Sequence, residues 1–320
     1  MPTADKPSAT RVLIVLILVY IAWGSSYLGN KFCLEVAGPF LICGTRNILG
    51  GSILSLVAAV LAGRWTCPHP IEIFRHAVMA IILVLMTSGF IVLGQTEITS
   101  AVAAVLASMV PIMLILGGWI FAGEERPNIT QWVGMIAGGI GVVALAWSQQ
   151  KAGTSTLWGI MIALIANVAW VAGSLIMKKH PIAGRLSILE STGLLIFMGG
   201  IECFLLGLIL GEQHSLHWEN VNAATVIAFS WMVVGGSVLA YACYLWLLNN
   251  VSTAVAISYE YVTPVIAMAL GTWLGGEEIS GIMLTASIVI IISVFLVIRH
   301  KHSMRVYLRR YSIAHARPRH

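Results

Sequence analysis

The chain reads as an all-α integral membrane protein of ten transmembrane helices, built as two inverted five-helix repeats. Three observations carry that expectation. Of its 320 residues 58% are hydrophobic and only 10% charged, against about a quarter charged in soluble domains, and the mean hydropathy is +0.91. Apolar runs of spanning length follow one another from Val12 to Ile298, joined by short polar links. Finally, SAVAAVLASMVPIMLILGGWIFAGEE at 100–125 aligns without a gap with TAVAISYEYVTPVIAMALGTWLGGEE at 253–278. Ala101, Val102, Ala103, Pro111, Gly118, Gly123, Glu124 and Glu125 thus recur as Ala254, Val255, Ala256, Pro264, Gly271, Gly276, Glu277 and Glu278, each 153 positions on. A weaker match of Ala22, Trp23 and Lys31 with Ala169, Trp170 and Lys178, 147 positions on, points the same way.

A hydrocarbon core of about 30 Å takes about 20 helical residues to cross. Ten runs meet that length, at 12–30, 39–62, 77–95, 100–122, 131–148, 157–177, 187–210, 223–248, 252–275 and 281–298. The first follows Arg11 without a small-residue cleavage site and is read as a retained helix rather than a signal peptide. Gly38 with Pro39, Cys67 to Pro70, Arg126 with Pro127, and His180 with Pro181 punctuate the links. The stretch 220–259 holds 40 uncharged residues, enough for two crossings, with Asn249 and Asn250 as the turn.

Lys and Arg set the orientation. With a cytoplasmic N-terminus that side collects Lys6, Arg11, Arg64, Arg75, Arg126, Lys178, Lys179, Arg185 and the seven basic residues of the tail, while the other side receives Lys31 and Lys151. Both termini are therefore expected in the cytoplasm. The division is a first repeat at 1–151, a second at 152–298 and a basic cytoplasmic tail at 299–320. Five spans per half is an odd number, so the second copy enters the membrane inverted, as in many secondary transporters. The positive-inside bias accounts for the net charge of +5 without nucleic acid.

AWGSSYL at 22–28, Pro39 and Phe40 followed by Arg46, a mid-helix Pro followed twelve residues later by Gly-Glu in each repeat, and SYEYVTPV at 258–265 are similar to the ten-helix EamA-type exporters of the drug/metabolite transporter superfamily. The resemblance covers nearly all of 11–298. It implies a cytoplasmic-membrane permease that moves small metabolites, often amino acids or their relatives, usually outward.

Pro111 and Pro264 lack the N–H that closes a helical turn and are expected to kink the fourth and ninth spans. Freed carbonyls are tolerated in a membrane where protein or a watery cavity satisfies them, so a gating role beside a central cavity is the expectation and a static bend the alternative. Four ionisable residues fall inside the spans: Arg46, Glu190, Glu202 and Glu260. Glu260 lies about 12 Å into the ninth span at 1.5 Å per residue, between Tyr259 and Tyr261, where the related branch carries a small residue. It is a candidate proton carrier or counter-charge for a substrate amine, or else a carboxylate paired with Arg46 or capped by a neighbouring hydroxyl. Arg46 and Glu202, at similar depth, are expected to form an ion pair, with a substrate carboxylate as the alternative ligand of Arg46. Glu190 is expected to snorkel.

Trp23, Ser25, Ser26, Tyr27 and Asn30 on the first span, with Asn167 and Trp170 on the sixth, are expected to line the cavity beside Arg46, Tyr259, Glu260 and Tyr261. Glu124, Glu125, Glu277 and Glu278 read as helix-end contacts. Gly134, Gly138, Gly139 and Gly141 give the fifth span a small-residue face for close packing, with homodimerisation left open. Cys33 and Cys43 flank one loop and are the one pair considered for a disulfide. Glu212, His214, His217 and Glu219 form a weak candidate metal cluster. No His falls inside an expected span, and HExxH, GxSxG and a Walker loop are absent. Neither catalysis nor a cofactor is expected. The expected partners are a small-molecule substrate and the bilayer, with proton coupling open. Export by alternating access is the leading reading, ahead of uptake, uncoupled facilitation, a channel or a membrane-embedded enzyme.

Overall fold

In hydrocarbon every backbone N–H and C=O must be satisfied within the protein, and a helix does so inside its own segment. The computed structural model describes residues 8–299 except 154, 252 and 257; no strand occurs among them. Beyond Arg299 the expected tail lies outside the described residues. The helices are α1 (Ala9–Leu34), α2 (Pro39–Ala62), α3 (Pro70–Gly94), α4 (Ser100–Ala122), α5 (Ile129–Ala152), α6 (Leu157–Lys179), α7 (Ile188–Ile209), α8 (Ala223–Leu248), α9 (Thr253–Ala256 and Tyr259–Trp273) and α10 (Gly281–Arg299). Among the described residues α1 to α8 are long and apolar enough to cross a membrane, while α9 and α10 contribute the shorter apolar helices Val262–Trp273 and Gly281–Ser293. The molecule is a multi-pass, all-α membrane protein.

Most helix starts match the expected runs, and the third corrects one. α3 opens at Pro70 rather than at 77, because His69 and Glu72 form a capping box and proline suits the first helical turn. His76 therefore lies inside a membrane helix, against the expectation that no histidine does. It is fully buried, its Nδ1 2.6 Å from the Glu72 carbonyl and its Nε2 2.8 Å from Ser191 Oγ on α7. Glu72, Arg75 and His76 lower the hydropathy of this turn and conceal it. Glu190 does not snorkel freely; it closes the capping box at the start of α7 with Ser187.

Four helices depart from regular geometry. α4 breaks at Ser108 and Met109, just before Pro111, and α9 has its second segment starting at Tyr259, with Pro264 inside it. At the α4 break the Leu106 carbonyl accepts from Met109 N at 3.1 Å and from Asn167 Nδ2 of α6 at 2.8 Å. At the α9 break Ser258 Oγ lies 2.5 Å from the Tyr20 hydroxyl of α1. α3 and α8 each widen to a π-helix, over Ile81–Gly89 and Met232–Leu239. The sequence reading did not anticipate these wide turns.

Helix packing follows an exchange rule. α1 packs on α8 and α9, and α6 packs on α3 and α4; α2 packs on α7, and α5 on α10. Swapping the first five helices for the last five leaves this set unchanged. The α2–α7 seam is the tightest: a Cβ on Gly44 would come within 2.5 Å of Phe204 N, on Gly51 within 2.5 Å of Phe197 N, and on Gly200 within 2.5 Å of Ile48 N. In α5, Gly138 faces Ser293 and Gly141 faces Ile290 of α10, so this glycine face serves packing inside the chain. Gly139 has nothing within 4 Å.

Gly44→Val should lower the midpoint of thermal unfolding in detergent, corresponding to about 1–3 kcal/mol of overpacking, whereas Gly139→Ala should leave it unchanged. Asn167→Leu removes the second donor to the Leu106 carbonyl and should cost about 1 kcal/mol in the same melt.

Candidate functional site

The irregular helices surround one cavity, which takes a wall from each half of the chain. From α1 it receives Trp23, Ser26, Tyr27 and Asn30; from α6, Asn167 and Trp170. Arg46 enters from α2, and Tyr259, Glu260 and Thr263 enter from α9. The expected residues with described side chains are therefore brought to the same space, except Ser25, whose Oγ accepts from the Trp231 indole N–H at 2.7 Å instead. The side chain of Tyr261 lies outside the described residues.

Several lining positions correspond between the copies: Trp23 with Trp170, Ala107 with Glu260, and Val110 with Thr263 all face the cavity. Shape is thus supplied twice. Charge is not, because the acid at 260 stands where the first copy has alanine.

Each wall is held by specific contacts. Trp23 donates its indole N–H to the Gly236 carbonyl in the π-helix of α8 at 3.2 Å. Its ring meets Tyr259, Tyr244 and Tyr241 with centroids 4.4, 5.3 and 5.6 Å away, separations at which edge-on aromatic pairs attract. Behind Arg46 runs a polar chain. Arg46 Nη1 lies 3.4 Å from Asn30 Oδ1, Asn30 Nδ2 donates to Gln95 Oε1 at 2.8 Å, and Gln95 Nε2 donates to the Tyr27 carbonyl at 2.8 Å. The guanidinium is steered by neutral groups, and its Nε is buried without a hydrogen-bond partner.

The expected Arg46–Glu202 ion pair does not form. Glu202 points elsewhere on α7, with Oε2 buried and unpartnered, and no ion pair among the described residues includes Arg46, Glu202 or Glu260. Similar depth from the surface left the rotational position of Glu202 unspecified. Arg46 and Glu260 consequently reach one cavity without pairing with each other.

The sequence reading missed Thr87 and Ser88 of α3, together with Gly236 and Tyr241 of α8, all of which line the cavity. A hydroxyl pair in the middle of a strongly apolar span was the available signal for the first two; Gly235, Gly236 and Ser237 were the corresponding interruption in α8. Thr87 Oγ1 donates to the Ile82 carbonyl five residues back, which suits the wide turn.

Two minor candidates are redirected. Cys33 is not bonded to Cys43, whose sulfur instead lies 3.7 Å from Cys203 on α7, both thiols being buried. Of the loop cluster, Glu212 caps α2, accepting from Phe40 N and Leu41 N at 3.2 and 2.8 Å, and His217 pairs with Glu219 at 3.1 Å. Its own backbone amide and then His217 hold the Glu219 carboxyl below the usual carboxylate range. No group of three or more metal-type ligands occurs among the described residues.

This architecture has relatives. The chain is 30% identical over 292 residues to the uncharacterized inner membrane transporter YedA of Escherichia coli K12, with 90% of each chain covered. It is 21% identical over 288 residues to the uncharacterized transporter YvbV of Bacillus subtilis 168, covering 90% of this chain and 92% of that one. A solved crystal structure superposes with a TM-score of 0.61 over 93% of this chain and 99% of its own, at 17% identity, a likeness of fold alone. Residues 10–147 and again 157–299 match the EamA-like transporter family, so the chain belongs to that family within the drug/metabolite transporter superfamily.

Proposed function

We propose that the protein exports small dipolar metabolites, amino acids or related compounds, across the inner membrane by alternating access. The observation that carries this reading is the unpaired presence of Arg46 and Glu260 in one cavity. A guanidinium is suited to a carboxylate and a carboxylate to an amine, and a substrate bearing both would neutralise the two walls together. Trp23, Tyr241 and Tyr259 supply flat faces for the organic part. Glu260 has a second role in this scheme: with the substrate gone, a proton takes the place of its amine.

The two matched segments are, in this reading, inverted five-helix copies, 1–151 and 152–298, with ten crossings and both termini cytoplasmic. The exchange-symmetric packing supports it, as does the cavity where the halves meet. The interruptions beside Pro111 and Pro264 serve as hinges for gating. The Escherichia coli relative is named as an inner membrane transporter, which supports the location. Transport rather than catalysis is the activity for which its relatives are named.

The test is to express the protein in cells and compare metabolites inside and outside. An exporter depletes the cells of an unaltered compound and enriches the medium; uptake reverses the sign, and a change in the compound's chemical identity would refute transport. Glu260→Gln and Arg46→Gln should each cut the flux by about tenfold or more, the loss of one charged hydrogen bond being worth about 1.5–3 kcal/mol. Full flux with unchanged pH dependence in Glu260→Gln would rule out the proton-carrier role.

A further inference from the structure

The repeat carries two acidic helix ends that the cavity does not use. Glu124 pairs with Lys178, and Glu277 pairs with Lys31 at 3.4 Å. The second pair is the first with the halves exchanged, since Glu277 is the counterpart of Glu124 and Lys178 that of Lys31. Each joins a lysine ending the first helix of one half to the turn after the fourth helix of the other.

Both carboxylates are seated alike. Each follows a glycine in the left-handed region, Gly123 at φ 66° and Gly276 at φ 62°, which suits a helix C-terminus. The Glu124 amide donates to the Gly118 carbonyl at 3.0 Å and the Glu277 amide to the Gly271 carbonyl at 2.9 Å. The carboxylates fold back over those same two glycines, where a Cβ would come within 2.8 Å at Gly118 and 2.6 Å at Gly271. The repeated glycines and the Gly-Glu are thereby accounted for as one device, used twice.

The two pairs lie at opposite ends of the molecule. Glu277 caps the start of α4, accepting from Ser100 N at 3.0 Å, Ser100 Oγ at 2.9 Å and Ala101 N at 3.3 Å. Glu124 follows the end of that helix, 23 residues away, a length of about 35 Å at 1.5 Å per residue. Between them Ala107 and Val110 of α4 face the cavity. Lys31 also donates to the Gly275 carbonyl at 2.6 Å, fastening α1 to the turn after α9. Each pair can hold only while the two halves meet at its own end.

We propose that Lys31–Glu277 and Lys178–Glu124 are two copies of one latch, closing the two mouths of the cavity and released one at a time. The proposal rests on the alternating-access reading above. The four residues are positioning residues: they set which mouth is open and touch no substrate. Releasing Glu277 uncovers a buried carboxylate, a step that depends on water entering as that mouth opens.

The test places a thiol in the cavity with Ser26→Cys, in a chain carrying Cys67→Ser and Cys243→Ala so that the remaining native thiols are buried. A charged, membrane-impermeant maleimide is then applied to right-side-out and inside-out vesicles, with labelling in denaturant as the measure of total protein. Glu277→Gln retains an oxygen to cap Ser100 but removes the charge; it should raise labelling severalfold from the side where Glu277 lies and lower it from the other. Glu124→Gln should give the mirror result. Lys31→Gln, which leaves the Glu277 cap on Ser100 in place, should act from the same side as Glu277→Gln. Glu277→Gln and Glu124→Gln acting from the same side, or neither changing a parent pattern that differs between the two sides, would overturn the latches while leaving alternating access standing. Equal labelling from both sides in the parent and every variant would overturn alternating access itself, and the latches with it.

Discussion

A backbone carbonyl that loses its helical partner inside a membrane must find another, and the cavity is built around that requirement. Proline removes one donor in α4 and one in α9, and the chain is interrupted near each. At both interruptions a polar side chain arrives from the first helix of the opposite half: Asn167 of α6 donates to the Leu106 carbonyl in α4, and the Tyr20 hydroxyl of α1 meets the Ser258 hydroxyl in α9. Tyr20 and Asn167 are 147 positions apart, the same interval that relates Trp23 to Trp170. The irregular backbone is thus contacted where the two halves come together. That is also where a substrate of a two-half transporter has to bind.

The cavity's chemistry comes from a departure from this symmetry. Duplicated positions supply matched surfaces, but Arg46 and Glu260 have no charged counterpart 147 or 153 positions away in the other copy. Arg46 is braced by Asn30 and, through it, Gln95, all neutral, so the brace leaves its charge for another group. A structural ion pair would have occupied Arg46; among the described residues none does.

Much of this could be read from the sequence because membrane helices obey one-dimensional rules. Length and hydropathy located the helices, the 153-residue interval paired the prolines and the Gly-Glu turns, and polar or aromatic residues in apolar spans pointed to the cavity. What escaped was rotational or non-local. Depth along a helix could not say that Glu202 forms no ion pair with Arg46, nor could a hydropathy window include the capped turn holding His76. The π-helical stretches in α3 and α8 leave only a faint trace, a Thr-Ser pair and a Gly-Gly-Ser run. The cap on α2 comes from Glu212, 171 residues beyond Leu41, and no local pattern contains it.

The α2–α7 seam bears on how the halves can move at all. Gly44 and Gly51 on one helix, and Gly193 and Gly200 on the other, are seven residues apart and bring backbone against backbone. A Cβ at any of the four would come within 2.9 Å of the partner helix's backbone, and under the alternating-access proposal this close seam would be the fulcrum. A tilt about it produces displacement in proportion to lever arm: almost none beside the glycines, the most at the turns that carry Glu124 and Glu277. A few degrees there, rather than any remodelling of the core, is the mechanical scale on which such a molecule would work.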